Sequence, residues 1–101
     1  MLSGITYKAE VADLRNSLPF SIYNKLKQKK NVILQAYDPC VNIENSKKYK
    51  ILKTINLKKN KFDLIILLVN HMSIIKKLKK TRKKNKLNIL DIFNYLKNVK
   101  N

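Results

Sequence analysis

The segment GITYKAEVADLRNS, Gly4 to Ser17, carries the most chemistry per residue in this chain. Gly4 is the only glycine, so no G-x-G-x-x-G and no P-loop can lay backbone N–H groups on a phosphate. Any phosphate here must be held by side chains, and Lys8 is the first choice. Asp13 can act as a base, or make a local hydrogen bond to its loop or to Arg15, and the local bond is favoured. Ser17 sits where a helix N-cap belongs. Two other polar clusters stand out: Asp38-Pro39 followed by Cys40, and Asn70-His71. Cys40 has no cationic or histidine partner nearby in sequence to make it a nucleophile, so catalysis by it is not expected. His71 reads as the end of a strand and the start of a helix rather than as an acid–base group. No metal-ligand spacing is present.

Elements that can position these clusters follow from the apolar periodicity. Leu2 to Tyr7 is a short apolar run. After Ser17, with Pro19 in the first turn, Leu18, Ile22, Tyr23 and Leu26 recur at helical spacing, and lysines from Lys25 load the helix end. Val32 to Tyr37 is a second run, closed by the Asp38-Pro39 turn. The stretch from Lys47 to Asn60 is ambiguous: Tyr49, Leu52 and Ile55 fit a helix, yet Tyr49 to Leu52 can be a strand. Phe62 to Val69 is the clearest buried strand. Met72, Ile75 and Leu78 mark a further helix, Leu87 to Asp91 a fourth run, and Ile92 to Val99 a terminal amphipathic turn or two. Alternation of runs and helices predicts an α/β fold: a Rossmann-like three-layer sandwich around a small, mostly parallel sheet. In such a sheet the crevice beyond the carboxyl ends of the strands is where ligands bind, and all three polar clusters fall there.

A chain of 101 residues allows one small core, so a single domain over residues 1–101 is expected. Hydrophobic content of 45% with 29% charged residues is a globular composition. One cysteine offers no internal disulfide, the N-terminus does not read as a signal peptide, and the longest apolar run, Leu64 to Val69, is far short of the roughly 20 residues a membrane span requires. A cytoplasmic protein without a membrane partner is expected. The net charge of +17 points toward polyanions, but all but two of the 23 basic residues are lysine, and Arg15 and Arg82 are the only arginines. Lysine, asparagine and isoleucine all have AT-rich codons, and lysine lacks the bidentate fork of nucleic-acid readers. Nucleic-acid attraction is therefore expected to be non-specific; a small lysine-rich nucleic-acid-binding protein using Lys76 to Lys86 is the alternative.

The order G-I-T-Y-K, then D-L-R-x-S, a helix, a strand and Y-D-P resembles the C-terminal, UDP-binding domain of the UDP-glucose/GDP-mannose dehydrogenase family. FDLIILLVNHMSIIKKL resembles that family's strand ending in a histidine before a helix, and LVNH is most similar to the UDP-N-acetylmannosamine dehydrogenase branch. The similarity runs from Leu2 to about Asp91. It implies an oxidoreductase family that uses NAD to oxidise the C6 hydroxyl of a nucleotide sugar to a carboxylate, in polysaccharide biosynthesis. By resemblance, Tyr7 and Lys8 match the pair that contacts the UDP-sugar, and Arg15 the arginine that reaches NAD across the domain cleft. Asp13 and Ser17 match positions that frame that arginine and start the helix. The sequence departs from the pattern where Asp91 is followed by Ile92 and Phe93 instead of an arginine. Its first strand looks truncated, and no NAD fingerprint or catalytic-cysteine motif precedes it. The expectation is a nucleotide-sugar-binding domain or fragment, inactive alone and marginally stable, whose partner is a UDP-sugar and possibly a separately encoded N-terminal dehydrogenase half that brings NAD.

Overall fold

The computed structural model describes residues 1–59, 61–84 and 86–96. Eight elements follow one another: β1 (Leu2–Ser3), α1 (Leu18–Leu26), β2 (Ala36–Tyr37), α2 (Ile43–Tyr49), β3 (Ile51–Leu52), β4 (Ile65–Leu67), α3 (Met72–Lys84) and β5 (Ile89–Asp91). The five strands form one sheet in the order β3-β2-β1-β4-β5, and every neighbouring pair is parallel. Sequence reading predicts a mostly parallel sheet; the observed one is wholly parallel. Its strands are only two or three residues long, β1 among the shortest.

The chain moves outward from β1 through β2 to β3, then returns past β1 to β4. With one crossover hand, that reversal puts helices on opposite faces. The alternation of strand side chains fits this arrangement. Leu2, Ala36, Ile51 and Leu68 face a cluster that contains Tyr23 of α1, with Phe20, Ile22 and Tyr49 packed against it. Tyr37, Ile65 and Leu67 face Ile74, Ile75 and Leu78 of α3. Complete burial of an aliphatic side chain such as Ile74 or Leu78 stabilises by about 1.5–3 kcal/mol. These are the three layers: helices, sheet, helix.

The helices start where local chemistry permits. Ser17 Oγ accepts from the Phe20 amide at 3.1 Å and donates to the Ile5 carbonyl, so one hydroxyl caps α1 and ties it to the end of β1. Asn42 caps α2 by accepting from the Asn45 amide at 2.7 Å. Lys50 ends α2 in the left-handed conformation, φ 57°, and its N–H returns to the Ser46 carbonyl. The ambiguous stretch thus divides at Lys50: the end of α2 lies before it and β3 after. Between β3 and β4 no helix is found among the described residues; Ile55 and Leu57 insert into the α3-side cluster instead. Lys77 Nζ donates to the Ile55 carbonyl at 2.8 Å. Lys76, Lys80 and Arg82 on α3 are exposed to solvent. Val32 and Ile33, read from sequence as part of a strand run, stand outside the ladder, and Ile33 is fully exposed. Turns continue through Leu96; the rest of the amphipathic segment expected to reach Val99 lies outside the described residues, as do Asn60, in the ambiguous stretch, and Asn85, in the lysine run.

Candidate functional site

The direction of the chain reverses between β1 and β4, and the ends of these two strands nearly touch. Gly4 follows β1 at φ 95°, and a Cβ there would meet Val69 Cβ at 2.5 Å and Val69 N at 2.6 Å. Only glycine fits that crossing. Beyond it, the backbone amides of Ile5 and Thr6 both donate to Asp38 Oδ2, at 2.7 and 2.8 Å. Thr6 Oγ1 adds a third bond at 3.0 Å, and His71 Nε2 approaches the same oxygen at 2.9 Å. The Cys40 amide donates to Asp38 Oδ1 at 2.7 Å. One carboxylate from the end of β2 therefore holds the ends of β1 and β4 together.

The imidazole of His71 is read in one tautomer. The Glu10 amide, which can only donate, lies 2.9 Å from Nδ1, so Nδ1 is an acceptor and the ring proton sits on Nε2, facing Asp38. Cys40 Sγ lies 3.3 Å from the same Nδ1. Glu10, at φ 62°, turns its own carboxylate to the start of α3, where Oε1 accepts from the Met72 amide at 2.6 Å. Oε2 faces Cys40 Sγ at 4.0 Å. Asp38, Thr6 and His71 are completely buried, Cys40 is half-buried, and Glu10 is exposed.

Of the sequence-predicted residues, Ser17 is buried at the start of α1, and the other four lie on the loop after β1. Tyr7 and Lys8 are both exposed on the loop that leaves β1, and the Tyr7 amide donates to the Asp13 carbonyl at 2.7 Å, closing that loop. Asp13 and Arg15 pair as a fork: Arg15 Nε lies 3.1 Å from Oδ1 and Nη2 lies 3.1 Å from Oδ2. They line a shallow cleft of about 540 Å³ with Phe20, Asn42, Asn45 and Tyr49. Tyr7 and Lys8 stand outside that cleft, so the loop does not gather the four residues into one cavity.

The family model for the UDP-binding domain of the UDP-glucose/GDP-mannose dehydrogenase family matches residues 1–98. The chain belongs to that family. No curated protein and no solved structure matches it. Members of the family are NAD-dependent dehydrogenases. Among the described residues no helix is long and apolar enough to cross a membrane.

The group around Asp38 lies at the carboxyl ends of the strands, where an α/β sheet takes its ligand. Its order Cys40–His71–Asp38 resembles a nucleophile, base and orienting carboxylate, which the distance of 31 positions between Cys40 and His71 hides from sequence. Cys40 has no histidine near it in sequence, and the fold supplies one from 31 positions away. The electrostatics nevertheless oppose nucleophilic use. Burial pushes the Cys40 thiol up, and the Asp38 and Glu10 carboxylates push it further. Burial also acts to raise the Asp38 carboxyl, but hydrogen bonds from His71, Ile5 and Thr6 outweigh it and hold Asp38 below the usual carboxylate range. Asp38 stays ionised as an acceptor, and Cys40 stays a thiol. At the rim, the hydrogen bond from Arg15 lowers Asp13. The expected turn at Asp38 holds, and His71 does open a helix, but β4 stops at Leu67, so His71 lies beyond the strand end; the contact between Asp38 and His71 across 33 positions has no local signal.

Proposed function

We propose that this domain binds the UDP portion of a nucleotide sugar at its carboxyl-end face, as the C-terminal domain of an NAD-dependent 6-dehydrogenase. Residues 1–101 act as that single domain. Tyr7 and Lys8 contact the UDP-sugar, the lysine as a mobile charge beside a phosphate. Arg15 extends toward NAD held by the other wall of the cleft, with Asp13 orienting its guanidinium and Ser17 anchoring the helix behind it. The substrate is UDP-N-acetylmannosamine, oxidised to UDP-N-acetylmannosaminuronate, a reading that rests on the LVNH segment before α3. This domain supplies no hydride acceptor of its own, so catalysis requires the NAD-binding portion, encoded separately or otherwise, and takes place in the cytoplasm during polysaccharide biosynthesis.

The single observation that supports this reading most is the family match over residues 1–98, on a sheet whose strand order reverses at β1, the strand the Tyr7-Lys8 loop follows. The test is a titration of the full chain with UDP, followed by amide NMR and calorimetry in physiological salt. Shifts centred on residues 6–8, reduced in Lys8→Ala, are the expected outcome. No Lys8-dependent shift at millimolar UDP overturns it. UDP-N-acetylmannosamine binding no tighter than UDP-glucose would overturn the substrate assignment alone.

A further inference from the structure

Three loops at the carboxyl ends of the strands bring a nitrogen, a sulfur and a carboxylate oxygen to one point. Glu10 comes from the loop after β1, Cys40 from the turn after β2, and His71 from the junction of β4 and α3; one donor atom from each lies within 4.8 Å of the others. We propose that Glu10, Cys40 and His71 form a site for a divalent transition-metal cation of the zinc class. It is independent of the UDP-binding reading, because its residues and its test involve no nucleotide.

The spacing is that of a coordination shell. A tetrahedral ion with bonds of about 2.3 Å to sulfur and about 2.0–2.1 Å to nitrogen and oxygen sets donor–donor edges of roughly 3.3–3.6 Å. Sγ to Nδ1 is 3.3 Å, Sγ to Oε2 is 4.0 Å and all three donors lie within 4.8 Å of one another, so closing the shell draws the donors together by up to about an ångström, taken up by Glu10, which is exposed on its loop. The mixed N, S and O donors select zinc or cobalt over magnesium or calcium, which take oxygen alone.

The surroundings match as well. His71 is fully buried, and its Nε2 faces Asp38, which fixes the tautomer and leaves Nδ1 as an acceptor 3.3 Å from Cys40 Sγ and 2.9 Å from the Glu10 amide. A carboxylate behind the imidazole is the usual outer partner of a zinc-bound histidine. Asp38 and Glu10 beside a thiol make an isolated thiolate unfavourable, and a cation between them removes that conflict. With three protein donors and Glu10 exposed, the fourth position opens to solvent. Loading releases the Cys40 thiol proton to the buffer, and the metal takes the Nδ1 lone pair now held by the Glu10 amide.

Cobalt(II) titrated into the reduced, nucleotide-free chain tests the site. One equivalent is expected to produce a thiolate-to-cobalt charge-transfer band with tetrahedral d–d intensity, displaced by zinc. Cys40→Ser removes the charge-transfer band. Glu10→Gln, at an exposed position that leaves the core untouched, weakens cobalt binding by at least about tenfold. Melting curves of the metal-free variants confirm that each remains folded. A spectrum without the charge-transfer band at stoichiometric cobalt, or equal affinity in folded Glu10→Gln, overturns the proposal.

Discussion

Asp38 and Asp13 are both carboxylates at the same end of the sheet, each facing a cationic or donor-rich partner, and the molecule uses them in opposite ways. Asp38 is completely buried and accepts from two amides after β1, a threonine hydroxyl, an imidazole and the Cys40 amide. Asp13 lies at the surface and has one partner, Arg15, whose side chain is almost wholly exposed. The buried carboxylate has displaced all its water and is repaid by fixed donors, so its loss leaves those donors unsatisfied in a dry place. The exposed pair is screened by solvent and holds a guanidinium in position without holding the fold. The buried carboxylate thus ties strand ends together, while the surface pair at the same end of the sheet leaves the fold to others.

The strongest attempt to break this division is Asp38→Ala, which strands several buried donors and is expected to cost about 3–5 kcal/mol in urea unfolding. A loss no larger than that of a surface substitution would dissolve the distinction. Gly4→Ala attacks the same strand ends through the backbone: the left-handed φ and the approach to Val69 predict a loss of about 2–5 kcal/mol. Thr6→Val removes one hydroxyl that bonds Asp38 and faces His71, and calorimetric melting should show a loss of about 1–2 kcal/mol.

Acid titration sharpens the comparison further. Asp38 has a folded-state pKa below its unfolded value, so its contribution is complete above the ordinary carboxylate pKa of about 3.9 and is lost as pH falls through the lowered value. A folded Asp38→Asn variant should lose that acid-side slope below about pH 4, whereas Asp13→Asn should retain it. The smallest effect concerns Arg15→Ala, for which an unchanged melting midpoint is expected. A clear drop would mean that the outer pair also supports the fold.

The parts of this arrangement that were visible in sequence are those set by local pattern. Ile65 to Leu67 lies within an apolar run, and Ser17 with Pro19 announces α1, so a parallel α/β sheet followed from spacing. The segment IENSKKY does not: α2 shows no buried residue and so no apolar stripe, and its signal is the Asn42 cap. Val32 and Ile33 have strand-forming side chains but find no neighbouring strand at their height in the sheet, and tertiary pairing overrides propensity there. Lys8 and Arg15 were legible as a motif. The Asp38–His71–Cys40 cluster was not, because each member looks like loop punctuation until parallel pairing places the three loops side by side.

A chain with a single glycine has consequences for how its turns are built. Glu10, Asn16, Lys50 and Asn94 all adopt left-handed backbone conformations that glycine enters without steric conflict. Glu10 and Lys50 lack even the compact polar side chain that eases this for asparagine. At Lys50, whose side chain is exposed, Lys50→Gly should relieve a turn that every molecule must close. Stability can therefore be added to this domain from its corners, with its interior and its strand-end chemistry left as they are.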